Sequence, residues 1–224
     1  MRSISNPARV RRADLVLMRI GVVLAVVLAA LIVLVSLRVG PLVRLDATLS
    51  RDTMRVDAAN PAVLTFFRGA TQVGNPLLVD LYCVIAIGFF AVRRRWAPAV
   101  AVALARLLSL AAEYLLKVTV NRPRPHPSHP VAHAAGSSFP SGHSTGIATV
   151  VTLALIALWL TRKMRLSIGL APVLVLIAFM VAASRLFLDV HYLSDVVAGL
   201  CLGALCTCIA VVGVDVGMRR GRPR

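Results

Sequence analysis

The chain has 224 residues, 58% of them hydrophobic and 15% charged, with a net charge of +16. Apolar residues in that proportion, gathered in long runs, exclude a soluble globular domain with one core. The basic excess sits in short clusters at the ends of the runs, so membrane topology explains it and no nucleic-acid partner is expected.

Six apolar segments are predicted to span a membrane as helices, at 20–37, 77–92, 97–116, 144–160, 166–183 and 196–214. Each is about long enough for a hydrocarbon core of roughly 30 Å. The fold class is therefore all-α, a six-helix transmembrane bundle. The first segment follows several arginines, but it is too long for a signal-peptide core and no clean small-residue cleavage site follows it, so it is expected to stay as a span. The second is short and can lengthen into the Gly74-Asn75-Pro76 turn.

The chain divides into an N-terminal part (1–76) with the first span and a long loop, a core of five spans (77–216), and a basic tail (217–224). The stretch 41–56 within the loop alternates apolar and charged residues at helical spacing. It is either an amphipathic helix in the membrane interface or a solvated loop helix. Cys83, Cys201, Cys206 and Cys208 all fall in apolar runs, where thiols pack; neither a disulfide framework nor a thiolate metal site is expected.

Arginine and lysine placement sets the orientation. The N-terminus, Arg93-Arg94-Arg95, the Arg162–Arg165 region and the C-terminal tail form the richer side. Both termini are thus expected in the cytoplasm of a multi-pass plasma-membrane protein, with the other loops outside.

Three stretches that carry chemistry fall on that outer side. The first, Lys117-Val118-Thr119-Val120-Asn121-Arg122-Pro123-Arg124-Pro125, follows the third span. Its prolines stop the helix and hold Arg122 and Arg124 on a stiff extended arm. Basic stop signals belong inside, so an outer cluster suggests an anion site. The second, Phe139-Pro140-Ser141-Gly142-His143-Ser144, opens the fourth span. A helix starting there aims free N–H groups and a positive dipole end at an anion. Glycine permits close approach, Ser141 adds a hydroxyl and His143 a titratable proton. Alone, this stretch reads as readily as a plain N-cap. The third runs from Ser184-Arg185 through His191 to Asp195. Four residues apart on a helix, His191 and Asp195 share a face. The carboxylate can hold one imidazole nitrogen and leave the other as a lone-pair nucleophile, or it can merely cap the helix.

Together the stretches resemble the type 2 phosphatidic acid phosphatase (PAP2) family, which is related in its catalytic core to vanadium haloperoxidases. Lys117 with Arg124-Pro125, then Pro140-Ser141-Gly142-His143, then Ser184-Arg185 with His191 and Asp195 match the family pattern in order and spacing. Six spans with the motifs on one side are similar to bacterial membrane members. The resemblance implies that His191 attacks phosphorus to give a phosphohistidine, that Asp195 orients it, and that His143 protonates the leaving oxygen. Lys117, Arg124, Ser141, the Gly142 N–H and Arg185 would hold the phosphoryl oxygens. No cofactor and no metal is implied.

Glu113, near the end of the third span, can pair with Lys117, which it would then position, or with Arg106. Arg122 lies in the variable part of its motif and could meet a second phosphate of a diphosphate substrate. His126, His129 and His133 are read as loop residues and not as zinc ligands, because prolines separate them. Asp80 has no assigned role. The function expected is removal of the terminal phosphate from a lipid phosphate or diphosphate: polyprenyl diphosphate for preference, phosphatidic acid or phosphatidylglycerol phosphate. A phosphotransferase on the same fold and a non-catalytic membrane protein are the alternatives.

Overall fold

The structure, a computed structural model, describes residues 7–125, 136–161 and 164–220. His126, His129 and His133 therefore lie outside the described residues. Those described form eight helices: α1 Pro7–Ser36, α2 Gly40–Ala59, α3 Pro61–Val73, α4 Pro76–Val92, α5 Trp96–Val120, α6 Gly142–Thr161, α7 Met164–Phe187 and α8 Leu193–Arg220. Six stretches are long and apolar enough to cross a membrane: Arg12–Ser36, Pro61–Val92, Trp96–Val120, Gly142–Leu160, Ser167–Phe187 and Leu193–Arg220. These correspond to the six expected segments, most of them extended at their ends.

The loop after the first span is mostly helical. The stretch read from its spacing is α2, and α3 follows it as a helix that spacing did not reveal. α3 and α4 make one apolar stretch broken at Gly74-Asn75. The Asn75 side chain accepts the Leu77 N–H at 3.0 Å, and Pro76 opens α4 where a missing N–H costs nothing. A Cβ on Gly74 would lie 2.2 Å from Val181 Cγ1, so α7 packs directly against the break. Phe67 of α3 stacks on Phe187 at the end of α7, with ring centroids 4.2 Å apart.

α8 is the central helix, packed against α1, α5 and α6. Its contact with α6 is backbone to backbone. A Cβ on Gly199 would lie 2.5 Å from the Ser141 carbonyl oxygen, and one on Gly203 would lie 2.2 Å from that of Thr145. The Thr207 hydroxyl lies 3.4 Å from the Thr149 carbonyl oxygen. Small residues every fourth position let two membrane helices approach this closely. All four cysteines are buried free thiols.

The two ends of the bundle differ. At one end Arg219 of α8 pairs with Asp14 of α1 and with Asp215. At the other, the end of α5, the start of α6, the end of α7 and the start of α8 converge, and these carry the three motifs.

Candidate active site

Each motif residue is placed by a helix end. α5 stops at Asn121, whose left-handed φ of 42° turns the chain out of the helix. The arm from Arg122 to Pro125 then runs beside residues 136–139. The Arg122 carbonyl accepts from the Ser138 N–H at 2.9 Å, and the Pro123 carbonyl accepts from the Ser138 hydroxyl at 3.2 Å. Arg124 donates to the Gly136, Ser137 and Val190 carbonyls, at 3.1, 3.2 and 2.8 Å.

α6 begins at Gly142, and Ser141, fully buried, sits at its N-cap with its own N–H donating to the Asp195 carbonyl at 3.0 Å. The Ser144 hydroxyl donates to Ser141 Oγ at 3.0 Å, which leaves the Ser141 proton available to another acceptor. Gly142 packs closely on its neighbour: a Cβ there would lie 2.5 Å from a carboxylate oxygen of Glu113, which would have to shift. Glu113 pairs with Lys117 at 3.2 Å, and Lys117 donates to the Pro140 carbonyl at 3.0 Å. So Glu113 takes Lys117 as its partner, while Arg106 takes Asp80 at 2.6 Å. Asp80, given no role from the sequence, thus balances a buried arginine within the bundle.

α8 begins two residues later than His191, at Leu193. Asp195, fully buried, reaches back so that Oδ2 accepts the Tyr192 N–H at 2.9 Å and lies 3.6 Å from His191 Nδ1. Capping and facing the histidine are therefore one arrangement and not alternatives. The other nitrogen of His191, Nε2, is 3.0 Å from Arg124 Nη1. A guanidinium offers no acceptor, so Nε2 must supply the lone pair and Nδ1 must carry the proton, toward Asp195. Burial pushes the His191 pKa down to about 4 against the pull of Asp195, so the ring is neutral near pH 7. Burial likewise draws Arg124 below its ordinary value, with Asp195 opposing.

Arg185 leaves the last turn of α7, donating to the Thr71 hydroxyl of α3 at 2.6 Å. Its Nε and His191 Nδ1 are buried and make no hydrogen bond among the described residues. His143, half-buried in the first turn of α6, feels the charges of Arg185, Lys117 and Arg124 and the His191 ring. The structure thus gathers His143, His191, Lys117, Arg124, Ser141, Gly142 and Arg185 at one mouth.

Arg122 points elsewhere. Its guanidinium is held by Asp195 at 2.6 Å and by Asp46 at 2.7 Å, with the Tyr192 ring centroid 4.2 Å from its Cζ. Burial opposes its charge, but Asp195 and Asp46 outweigh that and raise its pKa. Two carboxylates hold it here, in the place where a second phosphate was the expectation. Spacing along the chain also missed Thr71 and Asp46. The signal for Asp46 was a carboxylate on the apolar face of α2, in line with Leu42, Leu49 and Thr53.

Residues 96–218 match the sequence profile of the PAP2 superfamily. Over 166 residues the chain is 32% identical to phosphatidylglycerophosphatase B of Bacillus subtilis, covering 70% of this chain and 77% of that protein. It is 35% identical over 169 residues to decaprenylphosphoryl-5-phosphoribose phosphatase of Mycobacterium tuberculosis, covering 73% and 87%. Among solved structures it matches a transmembrane PAP2 type phosphatidylglycerolphosphate phosphatase from Bacillus subtilis with a TM-score of 0.71 and 26% identity, over 92% of this chain and 98% of that one. LpxE of Aquifex aeolicus aligns with a TM-score of 0.59 at 24% identity, over 75% and 94%, a likeness of fold alone. With the motif residues gathered at one mouth and these matches along most of the chain, the protein belongs to the PAP2 superfamily, as a multi-pass membrane phosphatase.

Proposed function

We propose that the protein hydrolyses the terminal phosphate of a lipid phosphate or diphosphate through a phosphohistidine on Nε2 of His191. The observation that carries this is the placement of His191: a buried ring with Nδ1 3.6 Å from Asp195 Oδ2 and Nε2 3.0 Å from Arg124 Nη1, an arrangement that favours the proton on Nδ1 and the lone pair on Nε2. Nε2 attacks phosphorus in line and the bond to the lipid oxygen breaks. His143 delivers a proton to that oxygen and then takes one from the water that attacks the phosphohistidine. Lys117, Arg124, Arg185, Ser141 and the Gly142 N–H neutralise the equatorial oxygens, as a metal does in other phosphoryl transfers. Arg124 turns from His191 to the phosphate when substrate arrives, and the 3.6 Å gap between Asp195 and His191 closes, as catalytic hydrogen bonds commonly tighten on binding.

The substrate class is an amphiphile whose tail stays in the bilayer: polyprenyl diphosphate, phosphatidic acid or phosphatidylglycerol phosphate. The test is phosphate release by the purified enzyme in detergent, from these lipids and from decaprenylphosphoryl-5-phosphoribose, with and without EDTA. Release that persists in EDTA is expected. No release from any lipid, or activity lost in EDTA and restored by a divalent ion, overturns the proposal. Transfer of the phosphate to an added lipid or sugar in preference to water would make the enzyme a phosphotransferase.

The mouth is proposed to face outward, because the basic clusters concentrate at the opposite end of the bundle. In intact cells an impermeant thiol reagent should label Ser137→Cys and spare Val92→Cys; the reverse pattern inverts the topology.

A further inference from the structure

Among the described residues Asp46 is the most deeply buried carboxylate outside the motifs, at 1% exposed, and it lies on α2, which none of the three motifs includes. Both of its oxygens are engaged. Oδ1 accepts the Ser194 N–H at 3.0 Å, and Oδ2 accepts the Ser194 hydroxyl at 2.5 Å and Arg122 Nη2 at 2.7 Å. Ser194 is the second residue of α8, so its N–H is one of the helix's unsatisfied donors, here satisfied from another helix. Arg122 Nη1 donates onward to Ser194 Oγ at 2.7 Å and to Asp195 Oδ1 at 2.6 Å. A continuous path therefore runs from Asp46 through Arg122 to Asp195 and the face of His191.

The charges give the path a purpose beyond joining α2 to α8. A buried guanidinium paired with Asp195 alone would cancel the charge that His191 needs as it turns cationic. Two carboxylates around one guanidinium leave one negative charge in the cluster. They also divide the donors of Arg122 so that Asp195 keeps Oδ2 turned toward His191. We propose that Asp46 is a positioning residue for phosphoryl transfer: acting through Arg122, it fixes the Asp195 carboxylate and preserves its charge against His191. This rests on the reading of His191 as nucleophile and Asp195 as its partner.

The test uses the full-length enzyme in detergent, with active sites counted by a phosphoenzyme burst. Asp46→Asn keeps the shape and removes the charge. Turnover per active site should fall about tenfold, with KM within about twofold. The groups facing His191 are Asp195 from α8, Arg124 from the arm, Arg185 from α7 and His143 from α6. With those unchanged, loss of a negative charge behind Asp195 should move the acid limb of kcat/KM to lower pH, whereas Arg122→Gln should move it to higher pH. The double variant should lose less than the product of the two single losses, because both act through one network. A purely structural tie would instead lower thermal stability and the active fraction, with kcat per site and the acid limb unmoved. That result, with Asp195→Asn crippled in parallel, overturns the inference. Near-normal turnover by Asp195→Asn withdraws the nucleophile reading as well. Should Asp46→Asn not fold, Asp46→Glu decides. The longer acid keeps the charge but displaces Arg122, so reduced kcat with an unmoved limb supports the path, and unchanged kcat overturns it.

Discussion

Where α6 crosses α8, backbone lies on backbone; where α2 meets α8, a buried carboxylate makes the polar junction. At the crossing, Gly199 and Gly203 leave no room for a Cβ against the Ser141 and Thr145 carbonyls, and the Ser141 N–H donates to the Asp195 carbonyl at 3.0 Å. Close packing fixes the register there, so the turn beside His143 and the start of α8 move as one body. At α2, beside the packing of Leu42, Asp46 makes a buried ion pair with Arg122 and hydrogen bonds to Ser194, which hold only while every partner is in place. The first region sets where the mouth is. The second sets the charge behind it.

The largest effect that could break this division lies at the two histidines of the mouth. His191 has a carboxylate 3.6 Å from one nitrogen, whereas His143 sits in the first turn of α6 near Arg185, Lys117 and Arg124. The proposed nucleophile and the proposed proton donor thus have different surroundings. His191→Ala should abolish turnover on lipid phosphates and on an aryl phosphate alike. His143→Ala should lose most lipid phosphatase activity yet form phosphoenzyme readily from nitrophenyl phosphate, because nitrophenolate leaves without a proton. A pre-steady-state burst of nitrophenol, with trapping of the labelled protein, checks this. A burst and a label in His191→Ala, and neither in His143→Ala, would exchange the roles.

The same division explains what was legible in the sequence. The six spans follow from apolar runs that a bilayer requires, and α2 was visible in its spacing. The mouth residues were readable because each motif lies within one short stretch where chain spacing stands in for distance. His191 and Asp195 meet although α8 starts at Leu193, since Asp195 folds back over the first turn. Partners far apart in the chain were not readable. Arg122 meets Asp46 from 76 residues away, Arg185 meets Thr71 from 114, and Arg106 meets Asp80 from 26. Helix packing makes these pairs, and local spacing carries no trace of it. α3 was missed because it is 13 residues long and broken from α4 at Gly74, too short to declare itself as a span.

A smaller effect sharpens the steric half of the comparison. Along α8, Gly203 and Gly213 are the same residue in the same helix, with opposite surroundings. A Cβ at 203 would lie 2.2 Å from the Thr145 carbonyl oxygen, 3.0 Å from Ala148 Cβ and 3.0 Å from the Thr149 N–H, whereas at 213 nothing lies within 4 Å. A backbone carbonyl cannot rotate aside as a side chain can, so Gly203→Ala must push α6 away from α8. Overpacking of this kind costs about 1–3 kcal/mol. The displaced helix carries Ser141 and His143 at its start, so kcat should fall together with thermal stability. Gly213→Ala removes only the conformational cost of glycine in a helix and should leave melting in detergent unchanged or raise it slightly. Melting curves of both variants, with lipid phosphatase rates, form the check. Equal melting of the two would mean that the crossing is not close-packed, and the register of the mouth would then have to come from the α2 side.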